Sequence, residues 1–144
     1  EFIEKSQAKG FNHFINDAGG SLCELEDPKL FKLLSDNTLV VYIKTSKENE
    51  RMLIERATEN PKPMYYNPVF FESSVKDYLV ENTLEYAAEI SPDAFVSWVF
   101  PKLIEDRLKK YSTIANKYGC TIQSDDLHSC RSANDVIDLI SRAL

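Results

Sequence analysis

The chemistry open to this chain lies in a few charged residues beside turns. Asp17 is followed by Ala18-Gly19-Gly20. A carboxylate in such a place could hold Mg²⁺ through water, and the glycine amides could face a phosphate or substrate oxygen. The same residues also make an ordinary turn. A second group lies in the stretch 102–118. There Lys102, Arg107, Lys109, Lys110 and Lys117 outnumber Glu105 and Asp106. A local positive face suits an anionic ligand, although the wet side of a helix would read the same way. Two more cations sit alone. Lys62 lies between Pro61 and Pro63, and Arg56 lies near Glu55 and Glu59.

Other chemistries are easier to set aside. The four glycines are Gly10, Gly19, Gly20 and Gly119. They spell neither a GxxxxGK phosphate loop nor a GxGxxG dinucleotide turn. The serine-nucleophile pattern GxSxG is absent. Cys120, His128 and Cys130 match no common zinc spacing, and His13 alternates with phenylalanines as a packed residue would. The chain carries 17 basic and 23 acidic residues, net −6, which argues against nucleic acid as a partner. Its 3 cysteines are odd in number and contain no CxxC, so a reducing, cytoplasmic compartment is expected. No apolar run is long enough to span a membrane.

The elements that must position these residues follow from patterning. FNHFIND (11–17) reads as a strand ending in Asp17. Asp27-Pro28 starts a helix. TLVVYIKT (38–45) is the clearest strand, and its unbroken apolar run suits a strand covered on both faces. Ser46 caps a helix reaching about Thr58, with Met52, Leu53 and Ala57 inward. Helices start again at Asn67-Pro68, with Phe71, Val75, Tyr78 and Leu79 on one face, and at Ser91-Pro92. Pro101 should kink or restart the latter. Ile104, Leu108, Tyr111, Ala115 and Tyr118 then form one stripe. Gly119 closes that helix, CTIQSD (120–125) forms a third strand, and Ser132 caps a final helix. Strands alternating with helices imply a parallel sheet. Three strands make a thin one, and the chain does not open with Met. A segment before Glu1 is therefore expected.

Several short motifs carry a resemblance. TLVVYIK leads to a helix ending in LIER, with Arg56. NPKPMYY follows, then RLKKYSTIA with Arg107 and Tyr111, while FINDAGGS lies upstream. Together these resemble the second half of a shikimate-kinase-like P-loop kinase. The resemblance implies a three-layer α/β/α fold with a parallel sheet, incomplete at its N-terminus. Residues 1–144 would be a single domain, with 61–100 as a lid or insert region. It implies ATP and Mg²⁺ as cofactors. Asp17 would be the metal-holding carboxylate, Gly19, Gly20 and Arg56 would line the nucleotide, Lys62 would be the lid cation, and Arg107 would contact the acceptor. Lys62 departs from the family's arginine and cannot make its two-pronged contact. The segment 64–100 is longer than the family's and rich in aromatics, with Tyr65 and Tyr66 nearest a site.

The expectation is ATP-dependent phosphoryl transfer to a small anionic molecule, or ATP hydrolysis. The alternative is a non-catalytic interaction domain of kinase-like ancestry. Such a domain would associate with another segment through an open sheet edge.

Overall fold

Four of the helices begin where a side chain satisfies one of their first free amides. In the computed structural model, which describes residues 2–11, 15–25, 27–62 and 64–144, Asp27 accepts from the Lys29 amide at 2.9 Å and starts α2 (Pro28–Asn37). Ser46 starts α3 (Lys47–Glu59), and Asn67 starts α4 (Pro68–Glu81). Ser132 and Asp135 cap α7 (Ala133–Ala143) reciprocally. Each cap replaces a hydrogen bond that the first helical turn cannot make for itself. A short α1 (Phe2–Ala8) precedes Gly10, whose φ of 80° is left-handed. A 3₁₀ turn spans Gly20–Glu24. The longest helix, α5, runs Pro92–Tyr118. The fold is a mixture of α and β, dominated by helix.

Among the described residues the sheet has two strands, β1 (Val40–Lys44) and β2 (Gly119–Gln123). They are parallel, with Val40 opposite Gly119 and Ile43 opposite Ile122. A parallel pair needs a long crossover, which α3, α4 and α5 supply. Gly119 is dictated by this pairing. A Cβ there would fall onto the carbonyl oxygen of Val40, so only glycine lets the strands approach. The Tyr42 ring meets Tyr111 of α5 at 5.4 Å, so that face of β1 looks toward α5. Val41 and Ile43 lie on the other face, in register with Cys120 and Ile122. Against β2 pack α7 and α6 (Ser124–Ser129).

Several expectations are corrected. Of the proposed strand 11–17, Phe11 and Ile15–Asp17 are not in a strand, while Asn12, His13 and Phe14 lie outside the described residues. Among the described residues the sheet therefore has two strands where three were expected. β1 is not covered on both faces, for none of its residues is buried. Nor does α3 bury Met52 or Leu53, because it lies on α5 at the surface. Helix α5 continues through Pro101. Buried Val99, Phe100 and Leu103 straddle the proline and hold the helix where a donor is missing. In place of the end of the expected strand 120–125, residues from Ser124 onward coil into α6.

A buried apolar cluster lies where α4 meets the first half of α5. Tyr78, Phe95 and Val99 are buried, with Tyr66, Phe70, Val75, Leu84, Ile90 and Trp98 around them. Rings meet edge to face, as at Phe95 and Tyr78, whose centres are 5.4 Å apart. That geometry aligns ring edges with ring faces. No described helix is long and apolar enough to cross a membrane.

Candidate functional site

The polar centre of the molecule is built one turn at a time on α5. Val99, Leu103, Arg107, Tyr111 and Ala115 recur every four residues, and so share one face of the helix. Four of these positions could belong to any packed helix. The fifth is a buried guanidinium. Arg107 Nε donates to Glu24 Oε1 at 2.7 Å, and its Nη2 donates to the Tyr65 carbonyl at 2.8 Å. Lys110 Nζ takes the other oxygen of Glu24 at 2.9 Å and also pairs with Asp106 at 2.9 Å. The side chain of Glu24 is 1% exposed and that of Arg107 8%. Tyr111 Oη donates to the Gly20 carbonyl at 2.8 Å, and the Cys23 thiol donates to the same oxygen at 3.2 Å.

The electrostatics agree with this geometry. Burial alone would raise the Glu24 carboxyl. The hydrogen bonds from Lys110 and Arg107 together outweigh it, and the carboxyl lies below its ordinary value. Burial alone would lower Lys110, but its bonds to Glu24 and Asp106 push it up. Tyr111 rises to about 12, first through burial and then through the neighbouring Cys23. Burial likewise raises the Cys23 thiol, as for a packed thiol.

The structure brings together some of the residues singled out from sequence and separates others. Gly20 lies against Tyr111 and Arg107, near enough that a Cβ on Gly20 would sit 2.7 Å from Tyr111 Oη and 3.5 Å from Arg107 Nη1. Gly19, with φ 61°, makes the bend into the 3₁₀ turn. The Asp17 carboxylate accepts from the Gly19 amide at 2.9 Å, so it closes its own turn. Gly20 and Arg107 therefore meet, with Asp17 and Gly19 in the turn that leads to Gly20. Arg107 is matched there by Glu24. Arg56 is exposed on α3 and Lys62 is exposed in the loop that follows. Neither takes part in the hydrogen bonds described around Arg107. Among the described residues no group of three or more His, Cys, Asp or Glu is placed to hold a metal. A groove of about 350 Å³ between α6 and α7 is lined by Asp126, Cys130, Asp135, Asp138, Leu139 and Arg142. Asp135 there is engaged in capping α7 through the Arg131 and Ser132 amides.

Sequence reasoning missed Glu24 altogether; its α5 stripe shares Tyr111 and Ala115 with the buried face, but takes Ile104 and Leu108 in place of the buried Leu103 and Arg107. The four-residue recurrence 99, 103, 107, 111, 115 was the available signal. Nothing local points to Glu24, which meets Arg107 across 83 residues.

With this geometry in hand, the chain was compared with protein-family models, curated proteins and solved structures, and it matches none of them.

Proposed function

We propose that this chain is a non-catalytic interaction domain that binds an extended polypeptide strand along the free edge of β1. One observation carries this reading. β1 has the sequence of a central strand and the position of an edge strand. Its outer edge has no described neighbour, and Leu39 and Ile43 remain 44% and 47% exposed. An edge presents a row of unmet backbone donors and acceptors, which a second strand satisfies. The occupant is a strand with apolar residues at alternate positions, to lie beside Val41 and Ile43. Basic flanks suit it, because the chain is net −6 and Glu50 stands close enough to Tyr42 to act on its hydroxyl. The test is titration with a Lys-Val-Thr-Val-Thr-Val-Lys peptide. Ile43→Lys places a charge on the exposed face and weakens binding at least about tenfold. Equal binding by the variant would remove β1 from the interface. Association of the chain with itself, abolished by the same substitution, would reassign the edge to a second copy.

A second reading is phosphoryl transfer to a small anionic molecule, or ATP hydrolysis with Mg²⁺. It draws on the loop Asp17-Gly19-Gly20, which ends against Arg107. As arranged, the residues do not fit that group. Arg107 is neutralised by Glu24, and the Asp17 carboxylate bonds its own loop. Asp17→Asn tests the reading directly: unchanged Mg²⁺-ATP turnover takes the carboxylate out of any metal role.

A further inference from the structure

The geometry points to a carboxylate-binding site on α5 that the chain fills with its own Glu24. A carboxylate has two oxygens, and here each is met by a different cation, Arg107 Nε at 2.7 Å and Lys110 Nζ at 2.9 Å. Such doubled charge-assisted bonds fix position as well as charge. The cradle does not depend on Glu24 for its shape. Arg107, Lys110 and Tyr111 are spaced three and one residues apart on one continuous helix. Arg107 is held from behind by the Tyr65 carbonyl at 2.8 Å, and Lys110 is held by Asp106. The occupant, in contrast, is carried by a five-residue 3₁₀ turn. The approach to that turn is poorly anchored, for Ile15 is 97% exposed and residues 15–19 form no helix or strand. Besides Glu24, Tyr111 reaches the turn from α5, at the Gly20 carbonyl and at Cys23. The Glu24 carboxylate thus joins the 3₁₀ turn to α5 beside the hydrogen bond from Tyr111 to the Gly20 carbonyl.

Glu24→Ala removes the terminal CH₂–COO⁻ of the side chain, and acetate replaces those atoms. The experiment follows amide hydrogen exchange at residues 20–24 of the variant while acetate is added, with chloride at equal ionic strength and neutral acetamide as controls. The proposal expects exchange there to speed up at least about tenfold on substitution. Acetate should then slow it saturably, since a ligand that binds the closed form more tightly than the open one stabilises the closed form with concentration. Chloride and acetamide should not. Should Glu24→Ala be unfolded without acetate, recovery of its circular dichroism with acetate is the same readout. The proposal is overturned if acetate does no more than chloride. It is also overturned if a folded Glu24→Ala keeps residues 20–24 as protected as in the parent chain.

Discussion

The two halves of α5 hold their neighbours by opposite means. Toward its start, Phe95, Trp98 and Val99 meet α4 through rings and methyl groups. Past Pro101, Arg107 and Lys110 meet the Gly20–Glu24 turn through a buried carboxylate. Apolar packing is forgiving in direction and gains with area. A buried ion pair is neither. Its desolvation is costly and is recovered only if every partner is present. So the first half should tolerate conservative repacking. The second should tolerate replacement of the whole set but not of one member.

The largest effect is expected in the apolar half. Phe95→Ala leaves a cavity among Phe71, Tyr78 and Trp98 and costs about 3–5 kcal/mol in urea unfolding, with no added dependence on pH. Arg107→Met comes next. It leaves Glu24, 1% exposed, without its Arg107 partner and held by Lys110, and costs about 3 kcal/mol. The double variant Glu24→Leu/Arg107→Met recovers most of that loss, because no buried charge remains unmatched. If single and double variants are equally unstable, the charges are not what holds the turn.

The sheet between the two halves sharpens the contrast. Gly119→Ala pushes a methyl group against the Val40 carbonyl, which is backbone and cannot rotate away. We expect a loss of about 1–3 kcal/mol, read as a lower urea midpoint. A pH titration then separates the halves without mutation. The Glu24 carboxyl is depressed in the fold from an ordinary value of 4.5. Its stabilisation is therefore complete above that value and is lost as pH falls through the folded one. Exchange at residues 20–24 should accelerate in acid before exchange around Phe95 does. Simultaneous loss would mean that the clasp and the aromatic cluster open as one unit. The smallest effect belongs to the exposed Lys109–Glu105 pair, where Lys109→Ala should change stability by less than about 0.5 kcal/mol.

Much of the helical frame was legible because its signals are local. Asp27-Pro28, Ser46, Asn67-Pro68, Ser91-Pro92 and Ser132 each mark a helix start within one or two residues. The parallel pairing of the two central apolar segments was legible from their separation by helices. What escaped was nonlocal. The coverage of β1 depends on which elements lie over it, and its apolar run alone predicts a burial that is absent. Glu24 and Arg107 are far apart in the chain. From its own segment, Arg107 read as part of a local positive face suited to an anionic ligand. The Asp17-Gly19-Gly20 turn was read as a ligand loop, and its placement near Arg107 was legible only in that both were singled out. The hydrogen bond from the Gly19 amide to Asp17 is the ordinary turn chemistry that the same residues also allowed.

The interaction reading rests on one edge of one strand, and hydrogen exchange along Val40–Lys44 tests it most directly. In the free protein, the alternate β1 amides that point away from β2 should exchange as solvent-exposed groups. With the Lys-Val-Thr-Val-Thr-Val-Lys peptide bound, the same amides should become protected while those facing β2 stay as they were. Amides along β1 that are all protected without peptide, or none that gains protection when peptide binds, would contradict the account.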